Sequence, residues 1–265
     1  MKIKRIFKLL LLFIKFKFVR DMMYRLNFWL PFFIDVSVFV IQLSVFNVIF
    51  LQVDDINGWN RYQMMFFVGT FMLIDGLFMT LYFFGIIEIP YKIRTGNLDL
   101  YLVKPVNPLF RLVFEKINPG SFFISIPGII MLSYAVSNLE ISPGFFKIAG
   151  FILLMSMMLL LMFDLMLLIR SAAFWFVKID ALQDFENELI SFSFRIPGIV
   201  FSGIWKIVFY LIVPYGLIAT IPTKFFTDIL SGKELIMTIS VCIVFTFITL
   251  SVWKLGLKRY SSASS

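Results

Sequence analysis

Asp35, Asp75, Asp164 and Lys206 each sit within a run of apolar residues long enough to cross a bilayer. An ionisable side chain there costs at least about 2.5 kcal/mol at the bilayer centre, so it is a functional candidate by default. Such a group can pair with an opposite charge, carry a proton or hold a solute. Asp35, Asp164 and Lys206 all lie roughly 8–11 Å from the same side of their runs at about 1.5 Å per residue. Equal depth permits Lys206 to pair with Asp35 or Asp164, as a structural clamp or as part of a solute site, or else to snorkel to the interface and bind nothing. Asp75 lies near the middle of its run with no cation at its depth. Gly69, Gly76 and Thr80 beside it are small enough to let another helix approach closely.

Other chemistry has little to work with. The chain has no histidine and a single cysteine, Cys242, set in an apolar run. That removes the Ser/His/Asp arrangement, the His-based zinc patterns and any intrachain disulfide. A phosphate-cradling loop needs G-x-x-x-x-G-K-[ST], and no lysine here is followed by Ser or Thr. The chain is not expected to be an enzyme or to bind a cofactor, and any ATP it depends on is hydrolysed on another polypeptide. The most polar stretch is IPYKIRTGNLDLYLVKPVNPLF, residues 89–110. Leu98, Leu100, Tyr101 and Leu102 make a short amphipathic stretch there, stopped by Pro105 and Pro108. A cytoplasmic docking surface and an ordinary basic loop fit this stretch equally well.

The elements that position these residues are membrane spans. Hydrophobic residues make up 60% of the chain, against about 45–50% in soluble domains. Six runs approach the roughly 20 residues a span needs: 28–51, 62–87, 117–136, 145–169, 199–221 and 235–253. Pro119, Gly120, Pro127 and Gly128 interrupt the third, and Pro214 and Pro222 suggest that the fifth breaks or turns back at its outer end. The acidic stretch KIDALQDFENELISFSFR reads as a short helix between spans four and five. Lys and Arg concentrate in alternate connecting segments, which puts both termini in the cytoplasm. Before the first span, residues 1–25 are expected to form a basic helix lying along the membrane interface. The net charge of +8 then points to anionic lipid rather than nucleic acid.

Residues alone leave several functions open. They include a secondary transporter carrying protons on Asp75 and Asp164, an immunity or anchoring protein, and a permease driven by a separate ATPase. The motif R-x-G-x-L-D-x-x-L-x-[KR]-P-x-N, within GTFMLIDGLFMTLYFFGIIEIPYKIRTGNLDLYLVKPVNPLF, resembles the ABC-2 class of ABC-transporter permeases, in its six-span bacterial branch. FRIPGIVFSGIWKIVFYLIVPYGLIATIP extends the likeness more weakly. The resemblance implies an all-α, type V exporter-like membrane domain covering 1–265, with an interfacial helix and a coupling helix over 89–108 that sits on an ATPase subunit. It makes Glu88, Arg94, Gly96, Leu98, Asp99, Lys104, Pro105 and Asn107 contact or shaping residues. It also implies a segment folded back into the outer leaflet around Pro214, Tyr215, Gly216 and Pro222. The implied assembly is an exporter in the plasma membrane. It holds two permease subunits, identical or paralogous, and its ATP and Mg2+ sit on the partner ATPase. A path lined by Phe and Met suits an amphipathic drug, peptide or lipid, and the same residues suit plain lipid-facing packing.

Overall fold

The computed structural model describes residues 25–139 and 141–260, with positions 12, 15, 17 and 19 besides. The interfacial helix expected over 1–25 therefore lies almost wholly outside the described residues. Those that are described form an all-helical bundle. Five helices are long and apolar enough to cross a membrane, and a bent pair passes the same test only if its two halves are counted together.

The first, α1 (Arg25–Ile49), ends before a tight turn in which Asn57 (φ 52°) and Gly58 (φ 84°) take left-handed conformations. Asn60 then caps α2 (Arg61–Phe78), accepting from the amides of Tyr62 and Gln63 while the Gln63 side chain accepts from the Asn60 amide. This reciprocal cap satisfies donors that a helix start leaves bare. A π-helical turn at Met79–Phe83 and a further turn at Phe84–Ile87 carry the helix on to α3 (Ile89–Arg94). Two short helices follow, α4 (Asp99–Leu102) and α5 (Pro108–Phe114). The third run is a 3-10 turn, Pro119–Ile124, leading into α6 (Ser125–Asn138). Its glycines and prolines mark close packing. A Cβ on Gly128 would stand 2.9 Å from the Gly69 carbonyl, and one on Gly76 2.3 Å from the Ser125 hydroxyl. The small residues of α2 thus serve a helix seam inside the chain.

Next, α7 (Phe145–Ser171) is buried along half its length. It is followed by α8 (Asp180–Arg195), α9 (Gly203–Ile207) with its π-helical continuation Val208–Ile212, a 3-10 turn at Pro214–Leu217, α10 (Thr220–Phe226) and α11 (Gly232–Arg259). Here the structure departs from expectation. Residues 199–221 are not one helix, because the two arms of the bent pair meet at 88°. Nor do they cross the bundle, because the Gly198 amide donates to the Thr220 hydroxyl at 2.8 Å. A segment that returns to its starting level forms a hairpin.

Among the described residues, α8 runs from one end of the bundle to the other instead. Ile179, just before it, packs in the cluster that holds Ile89, Leu98 and Trp253 at the end of the bundle carrying Lys92, Arg94 and Lys104, called the basic end below. Past its other terminus, the Ile199 carbonyl accepts from the Asn57 side chain in the turn between α1 and α2. Along the way the Gln42 amide donates to the Phe194 carbonyl at 2.6 Å. The sixteen residues of α8 rise about 24 Å at about 1.5 Å each.

Candidate functional site

The polar block forms a compact knuckle at the basic end. Pro90 opens α3, where it forfeits no helical hydrogen bond. Gly96 (φ 73°) then reverses the chain in a left-handed conformation that a side chain would strain. The Leu98 amide donates back to the Lys92 carbonyl at 3.1 Å, and α4 begins. The block is therefore two short helices joined by a turn. The Asn107 side chain caps α5 by accepting from the Phe110 amide.

This geometry sorts the expected residues into two groups. Arg94, Lys104 and Pro105 are exposed at the tip, together with Leu100 (62%), Leu102 (40%) and Val103 (76%). Glu88, Gly96, Leu98, Asp99 and Asn107 shape the knuckle instead. Glu88 holds Lys92 at 3.2 Å and Lys116 at 3.0 Å, tying the end of the α2 run to the segment after α5. The Tyr101 ring lies between Lys92 (4.6 Å) and Arg111 (4.9 Å). Partial burial and the Asp99 carboxylate push the Tyr260 phenol above its ordinary value. A groove of about 470 Å³ opens between Glu88, Tyr91, Asn97, Leu100 and Tyr101.

Behind the tip the knuckle is locked into the bundle. Ile89, Ile93, Leu98 and Tyr101 share a buried cluster with Leu167 of α7, Phe174, Ile179 and Trp253 of α11. Phe174 meets Trp253 edge-on at 5.3 Å, and a Cβ on Gly256 would stand 2.1 Å from the Phe174 ring. One apolar joint therefore links the knuckle to α7, α8 and α11.

A second constellation lies within the bundle. Arg170, near the end of α7, forms an ion pair with Glu186 of α8, and both side chains are sealed, 2% and 0% exposed. The Tyr215 hydroxyl donates to the other Glu186 oxygen at 2.6 Å. Tyr215 sits at the tip of the hairpin with Pro214 and Gly216, all three buried, while Pro222 is buried in α10. The hairpin thus reaches down onto the charge that joins α7 to α8. Sequence reading missed this triad because Glu186 stood among four acids of a short helix placed between two spans. The one available signal was Glu186 flanked by apolar residues at helical spacing.

The four charges read as intramembrane fall out differently. Lys206 meets neither Asp35 nor Asp164. Its ammonium lies 3.7 Å from Glu234, which also holds Lys224 at 2.7 Å. The reason is the hairpin, which places Lys206 next to the start of α11 and away from the basic end. Asp164 accepts from the Thr246 hydroxyl at 2.5 Å, and its carbonyl accepts from Thr249 at 3.0 Å, so it binds α7 to α11. Asp75 is half-buried on α2, and the charge that acts on it is the Asp35 carboxylate of α1.

A nearly all-helical bundle in which, among the described residues, five helices are long and apolar enough to cross a bilayer defines the class of integral membrane proteins. Within that class, the model of the ABC-2 family transporter proteins matches residues 36–264. The chain belongs to that family and is a membrane permease of the ABC-transporter type. Neither a curated protein nor a solved structure matches it.

Proposed function

We propose that the chain is the membrane-spanning subunit of an ATP-driven exporter, paired with a second permease subunit, identical or paralogous. In this reading α8 is the fifth crossing, the basic end faces the cytoplasm, and the knuckle docks on a separate ATPase that carries the ATP and Mg2+. The observation that carries the reading is the joint behind the knuckle. Its exposed tip offers Leu100, Leu102 and Val103 ringed by Arg94 and Lys104, while its inner side is packed against α7, α8 and α11. A load on the tip reaches three helices at once. Close-packed interiors transmit displacement with little compression, so closure of the ATPase subunits tilts the helices around the path. The hairpin at the other end, resting on Glu186 through Tyr215, moves with α8.

The test uses the full chain, affinity-tagged and extracted from its native membrane in mild detergent. A protein with a phosphate-binding loop co-purifies with the parent and is lost from the Arg94→Glu and Leu100→Asp variants, while the elution volume of the permease stays the same. Recovery of no nucleotide-hydrolysing partner, or one that ignores both substitutions, sinks the proposal.

A further inference from the structure

The run that carries the knuckle changes character partway along. It is α-helical from Arg61 to Phe78, widens into a π-helical turn at Met79–Phe83, and is α-helical again at Phe84–Ile87. A π-turn closes i→i+5 bonds, so it takes in one residue more than the α-turn it replaces. Among the described residues from Tyr62 to Pro90, Leu81 alone is exposed, at 37%. The extra residue is thus accommodated on the face turned away from the bundle.

Different partners hold the two sides of this turn. Before it, Gly69 and Gly76 meet Gly128 and Ser125 of α6, and Phe67 and Phe71 share a buried cluster with Phe39 and Phe46 of α1. After it, Gly85 lies against the Leu112 and Val113 carbonyls of α5, and Ile89 and Ile93 belong to the joint with α7 and α11. The chain passes between these two bodies a second time just after α5, and there the Asn118 amide donates to the Thr80 carbonyl at 2.9 Å. Both links therefore cross at one level. The Thr80 hydroxyl donates back to the Gly76 carbonyl at 2.6 Å, a contact that favours bending of a helix. The Tyr82 hydroxyl donates to the Leu159 carbonyl at 2.8 Å, which fixes one point of the turn on α7. The eighteen residues of α2 rise about 27 Å, close to the thickness of a hydrocarbon core of about 30 Å. The turn sits where the membrane part of the run gives way to the part that bears the knuckle.

We infer that the π-turn at Met79–Phe83, tied to the Asn118 link, is the hinge on which the knuckle, with α7 and α11, swings against α1, α2 and α6. Bending of a helix concentrates at such widened turns, and a hinge is a few residues that absorb the backbone change. The inference rests on the permease reading, in which a load arrives at the knuckle, and names where the bundle yields to it.

The test uses the purified full chain in lipid nanodiscs. In the parent, amides of residues 79–84 exchange hydrogen about tenfold faster than those of residues 66–74. Deletion of Leu81 removes the extra residue and closes the turn into α-helix with both flanks in register. The variant therefore stays folded, and exchange at the turn falls to the level of its flanks. Nitroxides on Val103→Cys of the knuckle and Ile130→Cys of α6, both exposed positions, report the angle between the two bodies in a Cys242→Ser background by pulsed electron paramagnetic resonance. Their distance distribution is broad in the parent and narrows on deletion of Leu81. Exchange at the turn as slow as on its flanks in the parent, unfolding on deletion of Leu81, or a distribution that the deletion does not narrow overturns the inference. No nucleotide or ATPase is present in these assays. Their failure therefore leaves the co-purification result standing, and a missing ATPase leaves the hinge measurements standing.

Discussion

Removing one end of the Arg170–Glu186 pair probes the bundle where it is least forgiving. Both side chains are sealed from solvent, so Glu186→Gln leaves a guanidinium facing a neutral amide in apolar surroundings. Breaking a buried pair this way costs about 3–5 kcal/mol. Tyr215→Phe removes one hydrogen bond to a charged acceptor, worth about 1.5–3 kcal/mol. Both changes act on the same carboxylate, so the Glu186→Gln/Tyr215→Phe double variant loses less than the sum. Arg170→Met with Glu186→Leu and Tyr215→Phe removes both charges and the hydroxyl that faces them and roughly keeps the volume, so it recovers most of the loss. The measurement is thermal unfolding of the detergent-solubilised full chain, followed by size-exclusion chromatography on heated samples. If Glu186→Gln melts with the parent, or the charge-free pair melts below both single variants, the pair does not hold α7 to α8 as described.

Two further tests address packing and path. A Cβ on Gly85 would stand 2.1 Å from the Val113 carbonyl, whereas one on Gly144 meets nothing within 4 Å. Gly85→Ala is therefore expected to destabilise the chain by about 1–3 kcal/mol in the same melting assay, and Gly144→Ala to be neutral; equal melting of the two would contradict the close approach. In a Cys242→Ser background, Ser202→Cys and Val177→Cys flank α8 at exposed positions. A membrane-impermeant maleimide is expected to label them from opposite sides of the membrane. Labelling from one side would return the fifth crossing to residues 199–221.

The five long helices were legible because apolar runs have no other use at that length, even where proline and glycine interrupt the third. The knuckle was legible as a compact polar block between two runs, though Gly96 divides it in a way that composition does not show. By contrast, α8 was hidden by its own chemistry. Asp180, Asp184, Glu186 and Glu188 make it too polar for a hydropathy window, and only its partners reveal that one of these acids is neutralised inside the bundle. The apolar hairpin at 199–221 took its place, being long enough to span but folded back at Pro214. That substitution also misplaced Lys206, whose depth was counted from the wrong end of the bundle. Hence its partner is Glu234, a residue read as part of an outer loop.

A polar crossing helix also has a consequence for biogenesis. Charged residues near a helix centre oppose insertion by about 2.5–3.5 kcal/mol each, so α8 has no means of partitioning from the translocon unaided. Arg170 is already in place at the end of α7 when Glu186 emerges, but Tyr215 and Thr220 are synthesised only later. With α8 as the fifth crossing, the nascent chain is expected to hold it at the membrane surface until its counter-charge and its hairpin are both available.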